Sequence, residues 1–296
     1  MSAPVLPSPS IPDLLHRYAL RPQKSLGQNF LVDQAALSRV VEAAGFQAGL
    51  QNDQQVLEIG PGLGSLTCLL AERASRVVCV ELDQNLLPPL AEVLQPYPNV
   101  QIVQGDILAL DPSALMGYTG QAGQLAYLVV ANIPYYITSA LMRHLLETRC
   151  PPHSLVLTVQ REVAERICAG PGDMSLLALS VQVYGSPQIV AHLPAGAFYP
   201  PPKVDSAVIR VALYPSPLIP KAQLPAFFRL AKAGFSQKRK TLRNALSGGM
   251  HWPAAQANEL LDASGIDPMR RAETLSLSEW KRLVDTTSLL APGDHQ

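Results

Sequence analysis

Cysteine is scarce and unpatterned. The 296 residues contain four, Cys68, Cys79, Cys150 and Cys168, with no C-x-x-C pair and no spacing that fits a zinc quartet. A disulfide scaffold is excluded, no metal is expected, and a reducing, cytoplasmic setting follows. Long apolar runs are also missing: none reaches the roughly 18 residues that mark a membrane helix. The first twenty residues lack the basic start and apolar core of a secretory signal. Net charge is absent as well, since 23 Lys and Arg balance 23 Asp and Glu. Bulk charge therefore gives no sign of a polyanionic partner.

What is present is a chain with 48% hydrophobic residues, long enough for about two domains at roughly 150 residues each and for a core without staples. The zero charge is a cancellation. Residues 1–202 carry 10 basic and 15 acidic side chains, whereas residues 203–296 carry 13 and 8. No Asp or Glu lies between Asp205 and Glu259, a stretch with eight Lys or Arg. Residues 2–12, with four Pro and three Ser, read as a loose tail, and the flexible segment is expected to run to residue 20.

From about residue 33, short β-branched runs alternate with stretches of helical length. The runs are 55–60, 77–81, 100–103, 125–131, 154–159, 188–193 and 207–213. This is the βαβ rhythm of a parallel sheet covered on both faces. The last two runs are joined by a Pro-rich loop, which predicts an antiparallel pair at one end of the sheet. Beyond residue 221 the pattern is helical only, near 222–234, 236–247, 253–263 and 276–288. The expectation is an α/β, Rossmann-like, seven-stranded domain over 21–213, followed by a small all-α domain over 214–296.

Gly60-Pro61-Gly62-Leu63-Gly64 follows the first buried run and opens a helical stretch. Glycines there let a ligand approach the backbone at a helix start, where N–H groups favour acceptors. Glu81 ends the next run, where a carboxylate can hold both hydroxyls of a ribose. NAD and S-adenosylmethionine (SAM) fit equally to this point. The dinucleotide fingerprint is G-x-G-x-x-G, and the tighter G-P-G-x-G turn, with Glu58 two residues upstream, lacks the wider seat for a pyrophosphate; SAM is favoured. Asp106, after Gly105, ends a further run and can accept from an adenine amino group, although Gly-Asp also serves as a plain turn.

Asn132-Ile133-Pro134-Tyr135 closes the fourth run. An exocyclic amine on a base is a poor nucleophile because its lone pair is delocalised into the ring. The Asn132 side-chain oxygen and a carbonyl of Ile133 or Pro134 can draw its two N–H groups and aim that lone pair at a methyl donor. Pro134 fixes the backbone and Tyr135 offers a stacking face.

Six ordered segments, Lys24 to Leu31, Glu58 to Gly64, Asn132 to Tyr135, Gln160 to Ala164, Phe198 to Ser206 and Lys238 to Asn244, resemble the bacterial small-subunit ribosomal RNA adenine dimethyltransferases, the family whose loss gives kasugamycin resistance. The matches span residues 24 to about 275. The resemblance implies SAM-dependent dimethylation of N6 on two adjacent adenosines in a hairpin near the 3′ end of 16S rRNA, with S-adenosylhomocysteine as product. It implies that Asn29 and Leu31 lie over the cofactor, and that Gly60 lines its amino-acid end. Glu81 would hold its ribose, Asp106 would meet its adenine, and Asn132 would lie between cofactor and target. Phe198 would stack on the flipped base opposite Tyr135. One segment departs from the family pattern: Gly172-Asp173-Met174 stands where a Tyr-Gly pair is usual.

Lys238, Arg239, Lys240 and Arg243 fall on the predicted helix 236–247, with 239 and 243 on one face. With Arg229, Lys232, Arg270 and Arg271 they form an expected phosphate-tracking surface. The expected partner is the small ribosomal subunit, met by a monomer without a membrane. Two alternatives are a large-subunit rRNA adenine methyltransferase and a non-catalytic ribosome assembly factor.

Overall fold

The structure, a computed structural model, describes residues 10–46, 52–118 and 126–290. Residues 1–9 of the expected tail, residue 125 of the fourth expected strand and residues 291–296 lie outside these. The chain forms two compact units, Met1–Ala164 with Gln188–Leu213, and Glu165–Pro187 with Tyr214–Gln296.

The first unit is built on a sheet. Its strands are β2 (Asn52–Ile59), β3 (Ala74–Glu81), β4 (Val100–Gln104), β5 (Tyr127–Asn132), β6 (Ser154–Gln160), β7 (Gly185–Leu193) and β9 (Ser206–Leu213), in the order β4-β3-β2-β5-β6-β9-β7. Strands β2 to β6 are parallel, and β9 runs antiparallel to β6. Val56 and Leu57, Val77 to Val80, Tyr127 to Ala131 and Leu155 to Leu157 are essentially sealed from solvent, as strands covered on both faces require. Around the sheet lie α2 (Gln34–Ala43), α3 (Ser65–Ala71), α4 (Leu87–Leu94), α5 (Pro112–Leu115), α6 (Thr138–Leu146) and the start of α7 (Arg161–Ile167). The chain order reverses between β2 and β5, which puts the switch point of the sheet at their carboxyl ends, where ligands settle in open α/β folds. A second, two-stranded sheet pairs β1 (Phe30–Leu31) with β8 (Phe198–Tyr199), Leu31 opposite Phe198.

The N-terminal segment differs from the expected tail. Residues Ile11–Arg17 form helix α1, capped by the Ser10 hydroxyl, which accepts from the Asp13 N–H. Ile11, Leu14 and Leu15 pack with Phe30, Leu63 and Leu86, while Arg17 and Tyr18 both bind the Glu92 carboxylate on α4. Burial of three aliphatic side chains outweighs a Pro- and Ser-rich composition, and Pro is well placed in a first helical turn.

The second unit contains α8 (Leu176–Gln182), α9 (Leu224–Phe235), α10 (Leu242–Met250), α11 (Ala254–Ala263) and α12 (Leu277–Leu290). Its core closes on Trp280, fully buried and stacked on Phe235 at a centroid distance of 5.9 Å. Glycine permits two close approaches: a Cβ on Gly234 would come within 2.6 Å of the Trp280 ring, and one on Gly249 within 2.6 Å of the Ala233 Cα. Segment Glu165–Pro187 groups with these helices, although the sequence placed it in the first domain. Hydrogen bonds explain the difference. The Tyr214 and Leu218 N–H groups donate to the Tyr184 and Val183 carbonyls, both at 2.9 Å, and the Gly172 and Met174 N–H groups donate to the Glu273 carbonyl. The divergent Gly172-Asp173-Met174 loop is thus a docked turn with Met174 buried.

Candidate active site

The carboxyl ends of β2 to β5 and the segment around β1 enclose a cavity of about 280 Å³. Gly60, Gly62 and Gly64 turn the chain from β2 into α3 at φ values of 69°, 60° and 87°, in the left-handed region where a side chain is strained. Gly62 also lies beneath a ring, since a Cβ there would come within 2.8 Å of Phe30 Cδ1. A Cβ on Gly60 would meet nothing nearer than the Asn132 carbonyl at 3.9 Å, so Gly60 keeps one side of the cavity open.

Glu81, at the end of β3, is buried and doubly anchored. One carboxylate oxygen accepts the Gly62 N–H at 3.0 Å and the other the Asp83 N–H at 2.8 Å. Burial pushes its carboxyl above the ordinary value, while these N–H groups pull the other way. The Leu82 N–H also bonds this carboxylate, which still leaves acceptor capacity for a hydroxyl donor. Gln23 and Gln28 donate to Asp83 Oδ2 at 2.9 and 2.8 Å, which fastens the segment before β1 to the β3 end. Asp106 also lines the cavity, with Oδ1 accepting the Leu108 N–H at 2.9 Å.

Asn132 ends β5. Its Nδ2 donates to the Asn29 carbonyl at 3.0 Å, and Asn29 in turn donates to the Gly27 carbonyl at 3.1 Å. With its amide nitrogen committed, Asn132 presents its oxygen as an acceptor. Pro134 and Tyr135 line the same cavity, as do Asn29 and Leu31. The cavity therefore gathers Asn29, Leu31, Gly60, Gly62, Glu81, Asp106, Asn132, Pro134 and Tyr135, with Gly64 at the foot of the turn.

Phe198 is placed apart from these residues. Strand alternation along β8 turns Phe198 inward, 3% exposed, and Tyr199 outward, 40% exposed. Phe198 packs with Leu31, Leu37 and Val208 in the core and is not among the residues that line the cavity; its stacking on a target base opposite Tyr135 stays a proposal.

The model of the family described as ribosomal RNA adenine dimethylase matches residues 19–285. The chain belongs to this family. The dimethylase is 45% identical over 271 residues to the ribosomal RNA small subunit methyltransferase A of Dehalococcoides mccartyi strain CBDB1, covering 92% of this chain and 90% of the relative. It is 42% identical to the protein of the same name from Pelotomaculum thermopropionicum, covering 95% and 97%. Among solved structures, the 23S rRNA methyltransferase ErmE superposes with a TM-score of 0.68 at 28% identity, covering 88% of this chain and all of that one.

The dimethylase takes its methyl group from SAM, and the residues present fit that cofactor. Glu58 is the strongest sign, and the sequence reading gave it no role beyond the spacing of the turn. Its side chain is 1% exposed, lines the cavity, and keeps Oε2 buried, with the Thr67 hydroxyl as a neighbouring donor. A buried carboxyl with only a hydroxyl to compensate it suits a cationic ligand such as the methionyl ammonium. Burial first, and the nearby Glu81 charge after it, push the Glu58 carboxyl up to about 8, so below that pH the ligand-free protein holds Glu58 as the neutral acid. A cation favours the ionised form, so binding releases a proton. Cofactor affinity is accordingly expected to rise from pH 6 and to level near pH 8. Calorimetric titration of wild type and Glu58→Gln checks this, the variant losing the pH dependence; an unchanged slope in the variant would remove Glu58 from the site.

Six of the eight cations expected to bind RNA are placed unequally. Lys238, Arg239 and Lys240 are exposed but lie in a turn between α9 and α10, not on a helix, and Arg243 sits in the first turn of α10. The helix restarts at Leu242 because that side chain is fully buried and the Leu242 and Arg243 N–H groups donate to the Arg270 and Pro268 carbonyls. Among the described residues none of these four cations is in an ion pair. Arg270 is committed elsewhere, to the Glu279 carboxylate and, at 2.6 Å, to the Thr274 carbonyl; its guanidinium holds the Glu279 carboxyl down to about 2. Arg271 lies 3.9 Å from Glu273. Among the described residues no group of His, Cys, Asp and Glu could hold a metal, and no helix is long and apolar enough to cross a membrane.

Proposed function

We propose that the chain dimethylates N6 of two adjacent adenosines in the 3′-terminal hairpin of 16S rRNA within the small ribosomal subunit, acting as a monomer in the cytoplasm. The observation that carries the reading is the Asn132 to Tyr135 corner: an amide oxygen and an aromatic face on one cavity that also holds Glu58, Glu81 and the glycine turn. SAM, when bound, supplies an electrophilic methyl. The Asn132 oxygen and a backbone carbonyl accept the two N–H groups of the adenine amine and orient its lone pair. The Pro134 carbonyl already accepts the Ile137 N–H at 3.1 Å, which favours Ile133 as the second acceptor. Tyr135 stacks on the base and offsets part of the few kcal/mol of unstacking. No general base is required, because the proton leaves after nitrogen has gained the methyl and a positive charge. Most of the rate gain comes from alignment.

Lys238, Arg239, Lys240 and Arg243 supply unpaired cations for phosphates, whereas Arg270, next to Arg271 in the chain, acts by holding its loop. Identity of 45% to a small-subunit enzyme against 28% to a large-subunit one supports the small subunit over its rival, and an intact cofactor cavity speaks against a purely non-catalytic assembly factor. Incubation of the purified protein with labelled SAM and unmethylated small or large subunits tests this. Four methyl groups per small subunit are expected; transfer to the large subunit, or none while SAM binds, would overturn it.

A further inference from the structure

Tyr135 is held at both ends. Its backbone is set by Pro134 and by the Thr138 hydroxyl, which donates to the Tyr135 carbonyl at 3.1 Å. Its phenol oxygen lies 2.7 Å from Ser206 Oγ. Ser206 is fully buried, opens β9 opposite Gln160 at the end of β6, and follows a residue fixed from two directions. The Arg161 N–H donates to the Asp205 carbonyl at 3.1 Å, and the Ala195 N–H donates to Asp205 Oδ1 at 3.1 Å. The Arg161 guanidinium lies 3.6 Å from the same side chain. Ser206 thus occupies a defined point relative to both β6 and the loop after β7. A tyrosine ring turns readily about its terminal torsion and swings with its rotamer; a hydrogen bond at the para oxygen suppresses the swing. Burial raises the phenol pKa further above neutrality, so the neutral hydroxyl is the form that makes the bond.

We infer that Ser206 is a positioning residue for methyl transfer: its hydroxyl pins the Tyr135 ring so that the face offered to the target base is already in place. The inference rests on the function proposed above. Ser206 touches neither cofactor nor base, and it acts through Tyr135 alone.

The test is a double-mutant cycle on the full-length protein with Ser206→Ala, Tyr135→Phe and the double variant, each assayed with labelled SAM on unmethylated small subunits. Each single change is expected to lower kcat about tenfold, the rate equivalent of a lost hydrogen bond. The double variant should be no slower than either single one, because both remove the same bond. SAM affinity and Tm should stay close to wild type. Effects that multiply in the double variant, a kcat unchanged by Ser206→Ala, or a kcat loss that tracks a fall in Tm would each overturn the role. The wild-type control separates the two levels. If wild type is inactive on small subunits but methylates large ones, the proposed substrate fails and the same cycle is read on the large subunit; if wild type is active and Ser206→Ala matches it, only the role of Ser206 fails.

Discussion

Asn132→Ala is expected to reduce methyl transfer by about 10²–10³-fold, the usual loss when one preorganised acceptor or donor is taken from a reacting centre, while subunit binding changes little. Asn132 has two tasks that the structure separates. Its nitrogen is spent on the Asn29 carbonyl at 3.0 Å, which ties the segment before β1 to the end of β5. Its oxygen, on a residue that lines the cavity, is the acceptor assigned to the target amine. Alanine removes both, and an amine that keeps only a backbone carbonyl as partner loses its fixed orientation. Asn132→Asp divides them: an acceptor stays, but a carboxylate now faces the Asn29 carbonyl with no donor between. The aspartate variant should therefore retain some transfer yet bind SAM less well than wild type, since the Asn29 segment lines the cofactor cavity. Single-turnover transfer, SAM titration and subunit binding measured on the same preparations check the pattern. A comparable loss of subunit binding in the alanine variant would mean that Asn132 serves recognition and not alignment.

The central strands of the sheet were legible because they are sealed on both faces, whereas β4 and β7 at its ends keep exposed residues. Continuous runs such as Val77 to Val80 and Tyr127 to Ala131 leave no polar face to confuse the period, and every one of the seven runs is a strand. Short-range chemistry was legible for a related reason: the glycine turn, Glu81, Asp106 and Asn132 each terminate a strand of a parallel sheet, and parallel strands bring their carboxyl ends to one edge. Features that depend on a partner distant in sequence were not legible. Phe198 and Tyr199 are two adjacent aromatics, and only the pairing of β8 with β1 decides which turns inward. Lys238 to Lys240 carry a helical spacing, yet burial of Leu242 against the second unit's core sets where α10 begins; Thr241, a residue suited to an N-cap, was the available signal. Helix α1 was hidden by Pro and Ser, although Ser10 before Ile11 and Pro12 is itself a helix-start pattern. Ser206 closes the matched segment that begins at Phe198, and nothing in the spacing of residues 135 and 206 predicts their contact.

The glycine turn carries the second large effect, and its members are expected to fail in different ways. Gly60→Ala requires a left-handed backbone at φ 69°, a strain of roughly 1–2 kcal/mol for a residue with a Cβ, but the new methyl meets no protein atom closer than 3.9 Å. The fold should survive with Tm lower by a few degrees, roughly 2–4 °C per kcal/mol for a chain of this class. The methyl instead occupies the open side of the cavity, so SAM affinity should drop by more than about tenfold, the equivalent of about 1.4 kcal/mol. Gly62→Ala adds to the same strain a collision with the Phe30 ring at 2.8 Å, and Phe30 belongs to the cluster that holds α1 down. It also displaces the N–H that fixes Glu81. Overpacking of this kind costs roughly 1–3 kcal/mol, so this variant should lose stability and cofactor together. Thermal unfolding with and without SAM distinguishes them: Gly60→Ala melts near wild type and gains little from the cofactor, whereas Gly62→Ala melts well below it in either condition. If Gly60→Ala were stabilised by SAM as strongly as wild type, the open face beside Asn132 would not be where the cofactor lies, and the alignment of methyl and amine drawn from this corner would have to be abandoned.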